Sequence, residues 1–289
     1  MNHAFRLSIC LRLADYGGDE EMIRREAELF RRHEVDCVEA LVYDGGVAWY
    51  RSDLAGRMEM DAMGVLAGAL EGSEVELDAI LPVFVEEPGS RLCQERGLRP
   101  ALQRDGRPAS EVARQMRVCL CPNEVETRHL RLEQIREALD RYPRVGAVSL
   151  DWVGWGPDTC YCDKCAADFQ SRTGARPEEL GERDRRRWVW QSWRAAVIEQ
   201  FVRGARALAA THGRGLKVNV HAQYPECRTL FGQDWKRWSD LNLVDAVQPK
   251  VFATDAGEIG RLMASYLSMG APPEKLWPHA MGGMGRTAT

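Results

Sequence analysis

The sequence predicts an α/β fold of the (β/α)8 type, a TIM barrel built as a single domain over residues 1–289. Short apolar, β-branched runs alternate along the chain with longer helical stretches, which is typical of parallel strands joined by helical crossovers. The runs recur about every 40 residues, a spacing that favours a barrel over an open sheet. No G-x-G-x-x-G turn follows the first run, which argues against a dinucleotide-binding sheet.

Seven of these runs are predicted to be strands, at 5–12, 35–43, 75–85, 145–151, 215–221, 244–252 and 275–281. Helices are predicted between them at 19–33, 57–71, 124–141, 184–212 and 255–269. The helix at 184–212 has the clearest pattern, because large apolar residues recur there at three- and four-residue steps. The chain ends a few residues after the seventh strand. An eighth strand–helix unit is therefore not evident: it is missing, truncated, replaced by a partner chain or out of the predicted register, and only the first two of these make the barrel incomplete at its C-terminus.

Two segments interrupt the regular alternation. Residues 86–118 are polar and rich in Arg, Gly and Pro, which predicts a long loop insertion after the third strand. That loop belongs to the face where barrel enzymes keep their chemistry, although a solvated insertion without function explains its composition equally well. Residues 152–170 form a second loop, which is rich in cysteine.

Composition and charge restrict the classes of partner. The net charge of −4 is small and spread along the chain, so nucleic acid and anionic membranes are not expected to bind. No apolar run reaches the roughly 18–20 residues that span a bilayer, and the N-terminus lacks the apolar core of a signal peptide. A cytoplasmic location with no membrane partner is therefore predicted. The sequence leaves open whether the chain forms a homo-oligomer.

A C-x-C-x-x-C cluster, Cys160, Cys162 and Cys165, follows the fourth strand. In a reducing compartment such a cluster indicates metal ligation rather than disulfides, and zinc prefers four thiolate or imidazole donors in a tetrahedron. The fourth donor is expected to be Cys119 or Cys121, and Cys121 is favoured because it lies at the turn just before the helix at 124–141. Four thiolates leave no open position, so the predicted zinc site is structural. Unligated thiols and an iron–sulfur cluster are the weaker alternatives.

The carboxyl ends of the predicted strands collect the candidate site residues. They are Tyr43, Asp44, Glu86, Glu87, Asp151, Trp152, His221, Gln223, Gln248, Lys250 and His279, with Trp155 close behind. Carboxylates and amides bind hydroxyl groups and tryptophan faces stack on pyranose rings, so the set predicts a carbohydrate site. Asp151 is the strongest candidate, because a carboxylate at the end of an apolar strand needs either a polar partner or a functional role. The other residues also have purely structural explanations, such as a hydrogen-bonded core position for His279.

The order of motifs resembles the glycosyl-hydrolase-like TIM barrels. The resemblance is strongest in RDGRPASEVARQMRVCLCPNEVETRHLRLEQIREALDRYPRVGAVSLDWVGWG and extends to YDGGVAWYRSD and WQSWRAAVIEQFV. The cysteine arrangement is similar to that of family 42 β-galactosidases, which hold a structural zinc. This resemblance implies that Cys121, Cys160, Cys162 and Cys165 are the zinc ligands. It also implies that Asp151 stands where that family places its general acid/base.

Two departures from that family bear on the chemistry. The β-galactosidases carry an Asn-Glu pair at the end of strand four, where this chain has Leu150-Asp151. Their nucleophile is a glutamate at the end of strand seven, and the segment PHAMGGMG has no carboxylate. If the chain is a glycosidase, Asp151 is expected to be the general acid. Glu86 is then the expected second carboxylate, with Asp44 next. A separation of about 5 Å between the two carboxylates would indicate retention of anomeric configuration, and roughly 6.5–9.5 Å would indicate inversion.

Three hypotheses on function follow from the sequence. The leading one is a glycoside hydrolase that acts on a carbohydrate through Asp151 and carries a structural zinc site. The second is a carbohydrate-binding barrel without catalysis, which the missing carboxylate on strand seven favours. The third is a sugar isomerase or lyase with His221 or Lys250 as base, for which the chain has no specific motif.

Overall fold

The computed structural model describes residues 8–280 except 45, 56, 59, 111–116, 182 and 252–255. Seven parallel strands follow one another in chain order in a single sheet. They are β1 (Ser8–Arg12), β2 (Cys37–Leu41), β3 (Glu76–Pro82), β4 (Val145–Asp151), β5 (Gly215–His221), β6 (Ala246–Val251) and β7 (His279–Ala280). Each corresponds to one predicted strand, and the part of the chain that the structure describes contains no eighth strand of this sheet. The predicted fold class, an incomplete barrel, is confirmed.

Nine α-helices lie among the described residues. They are α1 (Glu20–Arg32), α2 (Ala62–Ala69), α3 (Arg91–Arg96), α4 (Val125–Arg141), α5 (Asp163–Thr173), α6 (Arg186–Thr211), α7 (Glu226–Phe231), α8 (Trp235–Asp240) and α9 (Ala256–Ser268). The five predicted helices correspond to α1, α2, α4, α6 and α9. The sequence did not predict α3, α7 and α8, whose six residues are too few to show a helical period. It also did not predict α5, so the prediction of a loop over 152–170 is wrong from Asp163 onward. None of the described helices is long and apolar enough to cross a bilayer.

The ends and faces of the helices follow from local sequence. Asp19 caps α1, because its carboxylate accepts a hydrogen bond of 3.0 Å from the backbone N–H of Met22. The same helix buries Ile23, Ala27 and Phe30, which are spaced four and three residues apart on one face. That face packs α1 onto the sheet beside α2.

The long insertion after β3 has structure of its own. Val85–Glu86 pairs antiparallel with Val118–Cys119, and α3 lies between them. Residues 111–116 of the insertion lie outside the described residues. The insertion also contacts the cysteine-rich segment after β4, where the backbone N–H of Tyr161 donates to the carbonyl of Leu102 at 2.9 Å. The insertion and the cysteine-rich segment therefore form one structure at the carboxyl end of the sheet.

Polar side chains fill the interior of the barrel in three groups, held by hydrogen bonds and ion pairs between strands. The deepest group is Cys37, Asp78 and Lys217. The next is Ser8, Glu39, Ser149, Asn219, Gln248 and His279. At the carboxyl ends of the strands lie Asp151, His221 and Lys250. The barrel interior is therefore polar from its middle to its mouth, which is where barrel enzymes carry their function.

Candidate active site

Asp151 ends β4 at the mouth of the barrel and forms an ion pair with Lys250 from β6. The Lys250 Nζ atom lies 2.5 Å from Asp151 Oδ1, with both side chains partly exposed. The backbone N–H of Trp152 donates to the same carboxylate oxygen at 2.9 Å. The other oxygen, Oδ2, accepts no hydrogen bond from the described residues. The carboxylate is thus oriented by two donors and keeps one oxygen for a ligand.

Trp152 has an unusual backbone conformation. Its φ of 50° lies in the left-handed region, which a bulky side chain rarely adopts outside a constrained site. The carbonyl oxygen of Trp152 accepts from the N–H of Phe84 at 3.2 Å, so pairing with the chain after β3 holds this conformation. The ring lies 5.0 Å from Lys250 Nζ, within cation–π distance.

His221 ends β5 beside Trp152 and Lys250. Its ring stacks on Phe231, with centroids 3.9 Å apart, and meets the Trp152 ring edge-on at 6.4 Å. Burial, helped by the charge of Lys250, lowers the pKa of His221 to about 4. The imidazole is therefore neutral at pH 7.

Trp152 and His221 also line a mainly apolar cavity of about 110 Å³ next to the barrel mouth. Its walls include Phe84, Trp155, Phe231, Cys119 and Gln233. Trp155 is buried there, because its ring packs 5.9 Å from that of Trp193 and its Nε1 donates to the carbonyl of Arg194 at 3.0 Å. Gln223 lies on the other side of His221, in a cleft shared with Lys250.

The structure places Glu86 in a second cluster. Its carboxylate is fully buried, with Oε2 2.8 Å from Arg131 Nη2 and 2.9 Å from the hydroxyl of Tyr43. Arg131 also donates to the carbonyls of Val83 and Val85, so its charge is satisfied on all sides. Glu86 and Arg131 therefore form a buried ion pair that attaches α4 to the chain after β3.

Asp44 is also held by ion pairs with arginines. Arg12 Nε lies 2.5 Å from one of its oxygens, and Arg117 forms an ion pair with the other. The predicted site residues thus form two groups. Asp151, Trp152, His221 and Lys250 meet at the barrel mouth, whereas Tyr43, Asp44 and Glu86 lie together beside Arg117.

Gln248 and His279 lie below the mouth, where they contact a carboxylate that was not among the predicted site residues. Glu39 on β2 is fully buried, and its Oε1 accepts from Gln248 Nε2 at 2.6 Å and from Ser8 Oγ at 2.8 Å. His279 Nε2 lies 3.3 Å from the same oxygen. The available signal was an acidic residue inside the apolar strand CVEAL, where burial of a charge needs a partner.

Glu39 also approaches the deepest polar group, since metal-ligand atoms of Cys37, Glu39 and Asp78 lie within 4.8 Å of one another. A lysine already supplies positive charge there, because Lys217 forms an ion pair with Asp78 and lies 3.9 Å from Cys37 Sγ. The ammonium group also lies 4.3 Å from the ring centre of Trp277. The group is therefore explained as a buried ion pair without a metal.

Four cysteines converge beside the mouth. Cys121 Sγ lies 3.5 Å from Cys165 Sγ and 3.9 Å from Cys162 Sγ, and with Cys160 all four sulfur atoms lie within 4.8 Å of one another. Tetrahedral zinc with bonds of about 2.3 Å to sulfur places the sulfurs about 3.8 Å apart, so the four residues fit a closed metal site. Cys119, the alternative fourth ligand, lies instead on the wall of the apolar cavity.

The surroundings of the cysteines favour thiolates. Cys162 is the N-cap of α5 and Cys165 lies in its first turn, where the helix dipole stabilises negative charge. The backbone N–H of Leu102 donates to Cys160 Sγ at 3.2 Å. Hydrogen bonds within the cluster lower the pKa values of Cys160 and Cys162 and raise those of Cys121 and Cys165, so without a metal the negative charge lies on the first two. A metal bound here would join the insertion after β3 to the start of α5.

Comparison with known proteins shows where this architecture occurs. No protein-family model matches the sequence, and no curated protein matches it. Among solved structures, the glycoside hydrolase domain of PgaB (BpsB) from Bordetella bronchiseptica is similar, with a TM-score of 0.69 and 13% identity over 96% of this chain and 94% of that one. The chain shares the fold of a glycoside hydrolase domain.

Two further solved structures show the same likeness over part of their length. The GH36 α-galactosidase AgaA from Geobacillus stearothermophilus matches 100% of this chain and 37% of its own, with 13% identity and a TM-score of 0.61. The GH20 exo-β-N-acetylglucosaminidase from Vibrio harveyi matches 90% of this chain and 40% of its own, with 9% identity and a TM-score of 0.56. At these identities the likeness shows the fold alone. The similarity of the cysteine motif to family 42 β-galactosidases stays a prediction.

Proposed function

We propose that the chain is a glycoside hydrolase that acts on a carbohydrate, with Asp151 as the general acid. The observation that carries the proposal is the position of Asp151, a partly exposed carboxylate with one unbonded oxygen at the carboxyl end of β4. The shared fold of the PgaB, GH36 and GH20 structures supports the same class of reaction. Carbohydrate is accordingly the proposed substrate.

The neighbours of Asp151 suit this role. In the reaction Asp151 first takes up a proton from solvent and then gives it to the glycosidic oxygen as the bond to the anomeric carbon breaks, and Lys250 stabilises the carboxylate that forms again. The ring of Trp152 offers an apolar face for a sugar at the mouth of the barrel. His221 is neutral at pH 7, so it can donate or accept a hydrogen bond from a hydroxyl without adding charge.

Glu86, the predicted second carboxylate, has less support than Asp151. Tyr43 and Arg131 hold its carboxylate, and the side chain is fully buried. A general base or nucleophile needs access to water or to the sugar, which this arrangement does not offer. The geometry favours a structural task for Glu86 and leaves the second catalytic group to another residue.

We also propose zinc as the metal of the four-cysteine site, with a structural role. The distances between the sulfurs and the absence of a non-thiolate member in this group support a closed tetrahedral site. The cytoplasmic location predicted from the sequence is consistent with reduced, metal-binding thiols.

The second candidate function is a carbohydrate-binding barrel without catalysis. The observation in its favour is that Glu86 and Asp44 both form ion pairs with arginines, so neither carboxylate is free to act as a second catalytic group. Trp152 and the cavity behind it would still bind a sugar.

A panel of aryl glycosides, used together with a glycan array, separates the two functions. Turnover of at least one aryl glycoside by the purified chain supports the hydrolase. Binding on the array with no turnover in the panel supports the binding barrel. The absence of both binding and turnover would contradict both functions.

A further inference from the structure

We propose that His279, oriented by the buried carboxylate of Glu39, is the second catalytic group, the general base that activates water for the hydrolysis assisted by Asp151. The inference rests on the proposed hydrolase function and names a residue pair for it. It also addresses the end of strand seven, where the sequence has no carboxylate. There the chain has a histidine on β7 whose carboxylate partner comes from β2.

The position of His279 places it beside the acid. It is the register partner of Lys250 across β6 and β7, and Lys250 is the residue paired with Asp151.

Glu39 is positioned to act through His279 and not directly on the substrate. It is fully buried, so it touches no substrate, and its Oε2 has no hydrogen-bond partner among the described residues. Its Oε1 faces three donors, Ser8, Gln248 and His279. Although burial favours the neutral acid, the hydrogen bond and charge of His279 outweigh it and lower the pKa of Glu39. Glu39 is thus an ionised carboxylate aimed at an imidazole.

The proposal requires one tautomer of His279. Gln248 donates one hydrogen of Nε2 to Glu39, because its Oε1 accepts from Ser149 Oγ at 2.8 Å. His279 Nε2 lies 3.0 Å from Gln248 Nε2, whose second hydrogen it could accept, and 3.3 Å from the carboxylate, to which it could donate. In the proposed pair it donates to the carboxylate, so Nε2 carries the proton. Nδ1 has no hydrogen-bond partner in the described part of the chain, the side chain is 15% exposed, and the proposal places the attacking water at this nitrogen.

The reaction balances with this pair. Nδ1 of His279 takes a proton from water as the water oxygen bonds to the anomeric carbon. The bond from that carbon to the glycosidic oxygen breaks, and the leaving oxygen takes the proton of Asp151. Glu39 stabilises the imidazolium that forms, as the carboxylate of a catalytic triad does. Transfer of one proton from His279 to Asp151 through solvent restores the starting state.

The kinetic test uses Glu39→Gln, His279→Gln and the double variant on the best substrate of the aryl glycoside panel. His279→Gln is expected to lower kcat by roughly 10²–10⁴-fold with little change in KM. Glu39→Gln should lower kcat less, and the double variant should be no slower than His279→Gln, because Glu39 acts only through that histidine. The control is His212→Gln, which breaks a pair with Asp140 on the surface and should leave kcat unchanged.

Full kcat in His279→Gln, or losses that multiply in the double variant, would overturn the proposal. The second measurement does not depend on activity: imidazole nitrogen shifts of the wild-type chain read the tautomer of His279. The Nε2–H form is expected, and the Nδ1–H form would overturn the pair even if Glu39→Gln failed to fold. A wild-type chain that turns over no glycoside contradicts the hydrolase and its base together, and the nitrogen shifts then show separately whether the pair exists.

Discussion

Glu86 and Arg131 show how much the environment of one side chain decides its role. The two residues lie 45 positions apart, and each is at most 2% exposed in its side chain. From the sequence, Glu86 is a carboxylate at the start of a polar loop, which suits a catalytic acid as well as a solvated surface residue. The ion pair could not be predicted, because it depends on how α4 packs against the chain after β3.

We predict that Glu86→Gln destabilises the protein by about 3–5 kcal/mol, because it leaves the buried guanidinium of Arg131 without a counter-charge. Urea denaturation measures the change in the free energy of unfolding. The control is the exposed neighbour Glu87, for which Glu87→Gln should stay within about 0.5 kcal/mol of wild type. A Glu86→Gln variant of wild-type stability that has lost turnover would instead support the catalytic role expected from the sequence.

Asp151 is the residue where sequence and structure agree best. A carboxylate at the end of an apolar run predicted a side chain at the mouth of a barrel, and β4 ends at that residue. Its partner Lys250 was also among the predicted site residues, but the ion pair between them spans 99 positions. Residue types at strand ends are therefore readable from sequence, whereas the choice of partner across the barrel is not.

At the scale of elements, the cysteine cluster was the feature that the sequence predicted best. The spacing of Cys160, Cys162 and Cys165 predicted a thiolate cluster, and Cys121 completes it. The helix α5 that starts inside the cluster was not predicted, because the cysteines of its first turn indicated a metal-binding loop. The spacing of metal ligands is local information and predicts the cluster, but it does not show which of the ligands lie on a helix.

We predict that Cys162→Ser lowers both the zinc content and the melting temperature. Loss of the metal releases the start of α5 and the insertion after β3, since Cys162 is the N-cap residue of the helix and Cys160 accepts a hydrogen bond from Leu102 of the insertion. Each kcal/mol lost corresponds to about 2–4 °C for a chain of this size, so a loss of about 2.5 kcal/mol would lower the melting temperature by roughly 5–10 °C. Elemental analysis and thermal unfolding measure the two effects.

The matched control is Cys93→Ser, which changes a partly buried cysteine outside the cluster. It should leave the zinc content unchanged. If the wild-type chain purified without chelator contains no zinc, the metal assignment is wrong.

At the scale of the whole molecule, a polar network links six of the seven strands, with Asn219 on β5 joining through Ser149. Glu39 on β2 contacts Ser8 on β1, Gln248 on β6 and His279 on β7, and Gln248 continues to Ser149 on β4. Strand order and strand number were predictable, because each strand is a local apolar run. The network was not, because its members lie up to 240 positions apart and only barrel curvature brings them together.

We predict that His221 makes the stability of the whole fold depend on pH. Its pKa is about 4 in the folded state, below the ordinary value of 6.5, so the unfolded chain binds more protons between these values. The stabilisation is complete above about pH 6.5 and is lost as the pH falls towards 4, by about 3 kcal/mol in all.

Denaturant unfolding at a series of pH values measures this effect in wild type and in His221→Gln. The variant should lack that part of the decrease, and His33→Gln at an exposed position should keep it. Identical pH dependence in wild type and His221→Gln would show that His221 is not the group responsible.

The most direct test of the proposed hydrolase is the turnover of Asp151→Asn, compared with Asp240→Asn on the surface of α8, for an aryl glycoside that the wild-type chain cleaves. We expect Asp151→Asn to lose about 10²–10⁴-fold in kcat, the usual contribution of a general acid, while its melting temperature stays close to that of wild type. Asp240→Asn should keep full turnover. Full turnover by Asp151→Asn would contradict the assignment of Asp151 as the catalytic acid.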